Sequence, residues 1–187
     1  KSKGIGINIF DAHHRYENCE EILGTCSNIV KMTKISAYKL GEEDKLISNS
    51  IDKLGSIDIL WISDLDDKSL YENGEKLYNK FKSRFPIIGI TTESYLMFWK
   101  FMSSYPDCNL FMVPVYIGMD TQIEGIIAIA QSRGKKVFAI KTFCDGATLK
   151  KYGIDSCIKY VKDVAPDVVV LGTSKEEHLK ELVNLYE

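Results

Sequence analysis

The sequence predicts an α/β fold with a parallel sheet, a (β/α)8 TIM-type barrel with seven strands visible in this chain, and three observations predict it. First, short apolar runs alternate with longer amphipathic stretches seven times over along 187 residues, the order of a βα repeat. Second, the apolar runs do not alternate with polar residues, as expected of strands covered on both faces. Third, nearly every run ends in a chemically capable side chain: Asp11, Lys34, Ser63 with Asp64, Thr91 with Thr92, Tyr116, Lys141 with Thr142, and Gly172 with Thr173. The alternation alone fits a barrel or a doubly wound sheet. The strand-end residues favour the barrel, where C-terminal strand ends converge on one site; a doubly wound sheet gathers them at one switch point, and no GxGxxG turn follows any strand.

Taken in order, the expected strands cover residues 5–10, 29–33, 57–62, 87–91, 110–116, 136–140 and 168–171. The expected helices cover 19–23, 42–54, 68–85, 93–104, 119–133, 147–164 and 175–186. The fifth helix is the clearest: Ile123, Ile126, Ile127 and Ala130 recur at helical spacing, and Gly134 followed by two lysines closes it with a C-cap. The acidic runs at 42–44 and 175–177 read as solvated first turns, where carboxylates suit the helix dipole. Trp61, Phe98, Trp99 and Phe101 read as core.

A hydrophobic content of 45% over this length supports one sizeable core, and no composition break marks a linker, so residues 1–187 read as a single domain. The net charge is -2 with a pI near 6.0 and the lysines are scattered, which argues against a nucleic-acid partner. No apolar run approaches membrane-spanning length, and Lys1-Ser2-Lys3 leads into a strand rather than a cleavable apolar segment. The five cysteines are an odd, widely spaced set without a CxxC pair. They fit reduced thiols better than a disulfide framework or a zinc site. The expectation is a cytoplasmic protein without membrane contact or metal. Oligomeric state is not legible.

Residues 6–24, GINIFDAHHRYENCEEILG, carry the most specific pattern. They resemble the aldo-keto reductase family, in which a buried strand ends in aspartate, a tyrosine follows five residues later, and a short Ser-Glu-Glu-x-Leu-Gly helix comes next. Those positions are Asp11, Tyr16 and residues 19–24. The run IVKMTK at 29–34 resembles the family's third strand and supplies Lys34. The likeness continues through SNSIDKLGSID at 48–58, Ile88-Gly89-Ile90, residues 133–140, and VVLGTSKEEHL at 169–179. The chain opens at what the family counts as strand two, so the expectation is either a preceding N-terminal segment or an incomplete barrel.

The resemblance implies an NAD(P)H-dependent oxidoreductase that reduces a small aldehyde, ketone or sugar carbonyl. Tyr16 is the implied general acid. A phenol with a pKa near ~10 is a poor acid at neutral pH unless a nearby cation, held by a carboxylate, lowers the cost of the phenolate, and these are the implied roles of Lys34 and Asp11. Ser63 stands where the family's catalytic histidine closes the fourth strand, leaving a hydroxyl to orient the substrate oxygen. Thr91 and Thr92 stand for the family's Ser-Asn pair and Val113 for its glutamine, while Tyr116 keeps the stacking position. The implied phosphate end is Gly172, Thr173 and Ser174, with Lys141, Lys175 and His178 adding contacts or charge. NADP is the implied cofactor and NAD the alternative.

Plainer readings stand beside these. Asp11 also reads as a turn cap, Ser63 as a strand-end serine bonded to backbone, and His13 and His14 as solvated loop residues or as substitutes for the missing imidazole. Two other functions stay open: a degenerate scaffold that binds a partner or ligand, and a Schiff-base barrel enzyme using Lys34 or Lys141. Tyr16, Trp61 and Tyr116 suggest an aromatic pocket mouth.

Overall fold

The computed structural model describes residues 6–66, 68–119, 122–173 and 176–186. Its strands are β1 (Ile9–Asp11), β2 (Val30–Ser36), β3 (Ile59–Ser63), β4 (Ile87–Thr91), β5 (Leu110–Pro114), β6 (Lys136–Ile140) and β7 (Val168–Val169). The helices are α1 (Cys19–Gly24), α2 (Glu43–Leu54), α3 (Lys68–Phe81), α4 (Tyr95–Ser104), α5 (Gln122–Ser132), α6 (Ala147–Tyr152), α7 (Ile154–Val164) and α8 (Glu176–Tyr186). The alternation is the expected one. Contacts divide the chain into two compact units, residues 8–110 and residues 111–187 with the segment before residue 8.

In the unit of residues 8–110, β1 to β4 pair in parallel and in chain order. The registers set Asp11 beside Met32, Lys34 beside Trp61, and Trp61 beside Gly89. β3 is buried throughout and β2 from Lys31 onward, which is why neither alternates in polarity. α2 buries Glu43, Ile47, Ser50 and Leu54, one stripe at helical spacing, and ends at Gly55 with φ 78°. Its partners include α1 and β2. Fully buried Trp61, Phe81, Phe98, Phe101 and Leu60 form the bulk of the core. Each large apolar side chain taken from water contributes about 1.5–3 kcal/mol before entropy is set against it. Gly89 belongs to this packing, because a Cβ there would meet the Trp61 ring at 2.5 Å and the Leu110 carbonyl oxygen at 2.9 Å.

In the other unit, the Val115 N–H donates to the Ile140 carbonyl at 2.9 Å, and β6 pairs in parallel with β7. α5 buries Ile123, Ile126, Ile127 and Ala130, the four positions its periodicity marks, and packs on β6 and α7.

Several boundaries differ from expectation, each for a local reason. The expected strand over 5–10 is β1 at Ile9–Asp11; residue 5 lies outside the described residues, and Gly6 sits in a turn at φ 84°. β2 runs on to Ser36 because β3 pairs with it along its length. The expected helix over 147–164 is two helices, α6 and α7, parted at Gly153 with φ 79°. Glu43, expected in solvent, is buried and paired with Lys80 of α3. Trp61 is wholly buried and lines no pocket mouth. Among the described residues no helix is long and apolar enough to cross a membrane.

Candidate active site

β1 and β2 build the heart of the site. Asp11 is level with Met32 in the parallel pair, so Lys34, two residues on, presents its side chain on the same face as Met32. The Lys34 ammonium donates to Asp11 Oδ2, and the two side chains are only 10% and 16% exposed. Burial lifts the Asp11 carboxyl above the ordinary aspartate range, and the Lys34 charge opposes this only in part. Among the described residues the buried Asp11 Oδ1 has no hydrogen-bond partner. The chain then turns, with Tyr16 N–H donating to the His13 carbonyl and Cys19 N–H to the Tyr16 carbonyl, each at 2.8 Å. This turn sets the Tyr16 ring 6.0 Å from Lys34 Nζ, measured to the ring centroid, with Tyr16 52% exposed. The three residues the sequence singles out are thus brought together, with the charged pair inside and the phenol ring beside it at the surface.

Around them lie further polar groups, some of them named by the sequence and some, such as Arg15 and Glu20, not. Arg15 forms an ion pair with Asp64 at 3.0 Å, tying the loop after β1 to the end of β3, where Asp64 has φ 60°. Glu20, on the first turn of α1, is buried and accepts a 2.7 Å hydrogen bond from the Thr33 hydroxyl of β2. His13 and His14 stack with centroids 4.2 Å apart, and His13 lies 5.3 Å from the Tyr16 ring. Burial and the nearby His14, Arg15 and Lys34 push His13 down to about 3. The signal for this cluster was the run HHRY itself, but a loop histidine's burial depends on what the fold lays over it.

Other expected residues are placed as follows. Ser63 is buried, with Oγ 3.4 Å from both the Ile35 carbonyl oxygen and Asp64 Oδ2, so it is engaged within the sheet. Thr91 closes β4 and is buried. The Thr92 hydroxyl donates to Asp66 Oδ1 at 2.7 Å, and the same oxygen accepts the Glu93 and Ser94 N–H groups ahead of α4. In the other unit Tyr116 follows β5, with its N–H donating to Met119 Sδ at 3.2 Å. Lys141 follows β6 in the left-handed region at φ 57° and is exposed, which does not meet the desolvation a Schiff-base amine needs. Gly172 and Thr173 follow β7 and are exposed, and His178 is exposed on α8; Ser174 and Lys175 lie outside the described residues. Among the described residues no group of three or more His, Cys, Asp or Glu is placed to hold a metal ion.

No family model matches the chain and no curated protein sequence matches it. Solved structures do match. An aldo-keto reductase from Bacillus halodurans, in its apo form, aligns with a TM-score of 0.73 at 16% identity, over 99% of this chain and 77% of that one. An aldo/keto reductase from Klebsiella pneumoniae in complex with NADP and acetate aligns at 0.73 and 13% identity, over 98% of this chain and 76% of that one. The fold is that of the aldo-keto reductases. A glycerol dehydrogenase from Gluconobacter oxydans shares it, with a TM-score of 0.67 at 16% identity over 98% of this chain and 81% of its own. The expected (β/α)8-type architecture is therefore the right one.

Proposed function

We propose that the chain reduces a small aldehyde, ketone or sugar carbonyl with a nicotinamide cofactor, NADPH first and NADH as the alternative. The observation that carries this reading is the buried Asp11–Lys34 pair with the half-exposed Tyr16 ring beside the ammonium. A substrate can reach such a phenol, and a neighbouring cation lowers the cost of the phenolate left when its proton departs. The fold supports the reading, since a structure that shares it holds NADP.

The donor set fits such a cofactor by residue type. Taken each by itself, the unit of residues 8–110 offers the Thr91 hydroxyl, and the other unit offers the Tyr116 aromatic face and exposed main chain at Gly172, with nothing within 4 Å of the place a Gly172 Cβ would take. Thr92 fits less well, because its hydroxyl already serves Asp66. The cofactor, when bound, supplies a hydride for the carbonyl carbon. Tyr16 gives the oxygen its proton and is reprotonated from solvent. Lys34 steadies the charge left on the phenol oxygen, and Asp11 holds Lys34 in place.

The test is thermal melting of the purified chain with and without NADPH and NADH, followed by turnover of small aldehydes. An upward shift with either cofactor is expected. Tyr16→Phe is expected to keep that shift while kcat falls about 10²–10⁴-fold, the usual worth of a general acid. A second reading, a scaffold without turnover, is favoured by the engagement of Ser63 and Thr92 with neighbouring groups. It predicts no melting shift at saturating cofactor.

A further inference from the structure

Tyr16 is 52% exposed, so burial alone does not fix its ring, yet the ring centroid sits 6.0 Å from Lys34 Nζ. The loop that carries the phenol has to be held from elsewhere. We propose that the Arg15–Asp64 ion pair positions Tyr16, with Asp64 as a positioning residue that acts on the phenol through Arg15; the proposal rests on the reductase reading of the same site.

The turn after β1 is shaped by bonds to itself. Tyr16 N–H donates to the His13 carbonyl, Cys19 N–H to the Tyr16 carbonyl, and Arg15 N–H to His13 Nδ1 at 2.9 Å. These bonds set the form of the turn but not its place relative to β3. Arg15 adds that restraint, because its guanidinium donates to Asp64 Oδ2 at 3.0 Å across 49 residues of sequence. Asp64 directly follows Ser63, the last residue of a strand buried throughout, so the carboxylate stands on a rigid base. Ser63 Oγ lies 3.4 Å from the same Oδ2 and steadies it from the strand side. Arg15 is thus bound at its main chain within the turn and at its side chain to β3, one residue before Tyr16.

The consequence is kinetic. A general acid works only within hydrogen-bond reach of the oxygen it protonates, and a misplacement of about 1 Å can cost up to about 10²-fold in rate. The paired side chains are 58% and 34% exposed, and an exposed pair contributes little to global stability. Its loss is therefore expected in kcat and not in the melting temperature. Salt gives a second signature, because the screening length shrinks from about 30 Å at about 0.01 M to about 3 Å at about 1 M, and an exposed pair weakens with it.

The test uses the full chain with saturating NADPH and a small aldehyde. Asp64→Asn, which keeps the shape and removes the charge, is expected to lower kcat about tenfold, with the aldehyde KM within about twofold and the cofactor melting shift retained. Exchanging the two charges, Arg15→Asp together with Asp64→Arg, is expected to restore most of that loss. Raising salt from about 0.01 to about 1 M is expected to lower kcat of the parent chain and to leave that of Asp64→Asn unchanged. Independently of turnover, the Tyr16 and Cys19 amides are expected to exchange with deuterium faster in Asp64→Asn. Parent-like kcat or parent-like amide exchange in Asp64→Asn, the same salt response in both proteins, or no recovery in a folded exchanged pair overturns the proposal and leaves the reductase reading standing. Faster exchange in a protein without cofactor-dependent turnover overturns the reductase reading and keeps the ion pair as the tie that holds the loop.

Discussion

His13 makes the fold sensitive to acid at the scale of a single residue. Its folded pKa is pushed down to about 3 from an ordinary 6.5, by burial first, then by His14, Arg15 and Lys34 repelling a proton, with Asp64 attracting one. A lowered pKa means the unfolded chain takes up the proton first. The stability His13 contributes is thus fully present above pH 6.5 and is lost as pH falls toward 3, by at most about 1.4 kcal/mol per pH unit. His14, also lowered by burial, acts in the same direction. Urea unfolding of His13→Gln between pH 7 and 4 is expected to show a shallower decline than the parent chain; equal slopes would mean that His13 is already charged in the fold. The legibility of the site follows a similar division. Asp11, Tyr16 and Lys34 were readable because strand ends and a short turn fix them locally. That Ser63 bonds backbone was readable from its place at a strand end, but which carbonyl accepts was not, nor was the partner of Thr92, because the Ile35 carbonyl and the Asp66 carboxylate lie 28 and 26 residues away in sequence.

Elements were legible to the degree that burial wrote them into the sequence. β3 and β4 lie where unbroken apolar runs place them, and α5 buries the positions its spacing marks. The break between α6 and α7 was present in the sequence as Gly153, but a glycine inside an amphipathic run is also tolerated in a helix, so only its φ of 79° decides. Glu43 shows the opposite failure: an acidic first turn looks solvated until Lys80 of a neighbouring helix closes on it. Gly89 tests how tightly β3 and β4 fit. Its missing side chain makes room for the Trp61 ring beside it in register, and the Leu110 carbonyl bounds the same space. Gly89→Ala is therefore expected to destabilise by about 1–3 kcal/mol through overpacking, read as a lower urea midpoint with unchanged slope. An unshifted midpoint would show that the indole can move aside at no cost.

Over the whole molecule, the cysteines sample both compact units and the candidate site at once. Cys108 and Cys157 are buried, one in each unit, whereas Cys19, Cys26 and Cys144 are partly exposed. Thiolate rather than thiol reacts with a disulfide reagent, so exposure and pKa together set the order of labelling. Cys19 opens α1 near the site, where burial first, and then the charges of Asp11 and Glu20, raise its pKa against the opposing pull of Lys34. In the native chain Cys26 and Cys144 are expected to label ahead of Cys19, with Cys108 and Cys157 protected until their own units open. Mass spectrometry of a time course reads this order directly. Early labelling of Cys108 or Cys157 would mean that the corresponding core is loose under native conditions. Cys19 labelling as fast as Cys26 would mean that burial at the start of α1, the largest cause of its raised pKa, does not hold the thiol protonated.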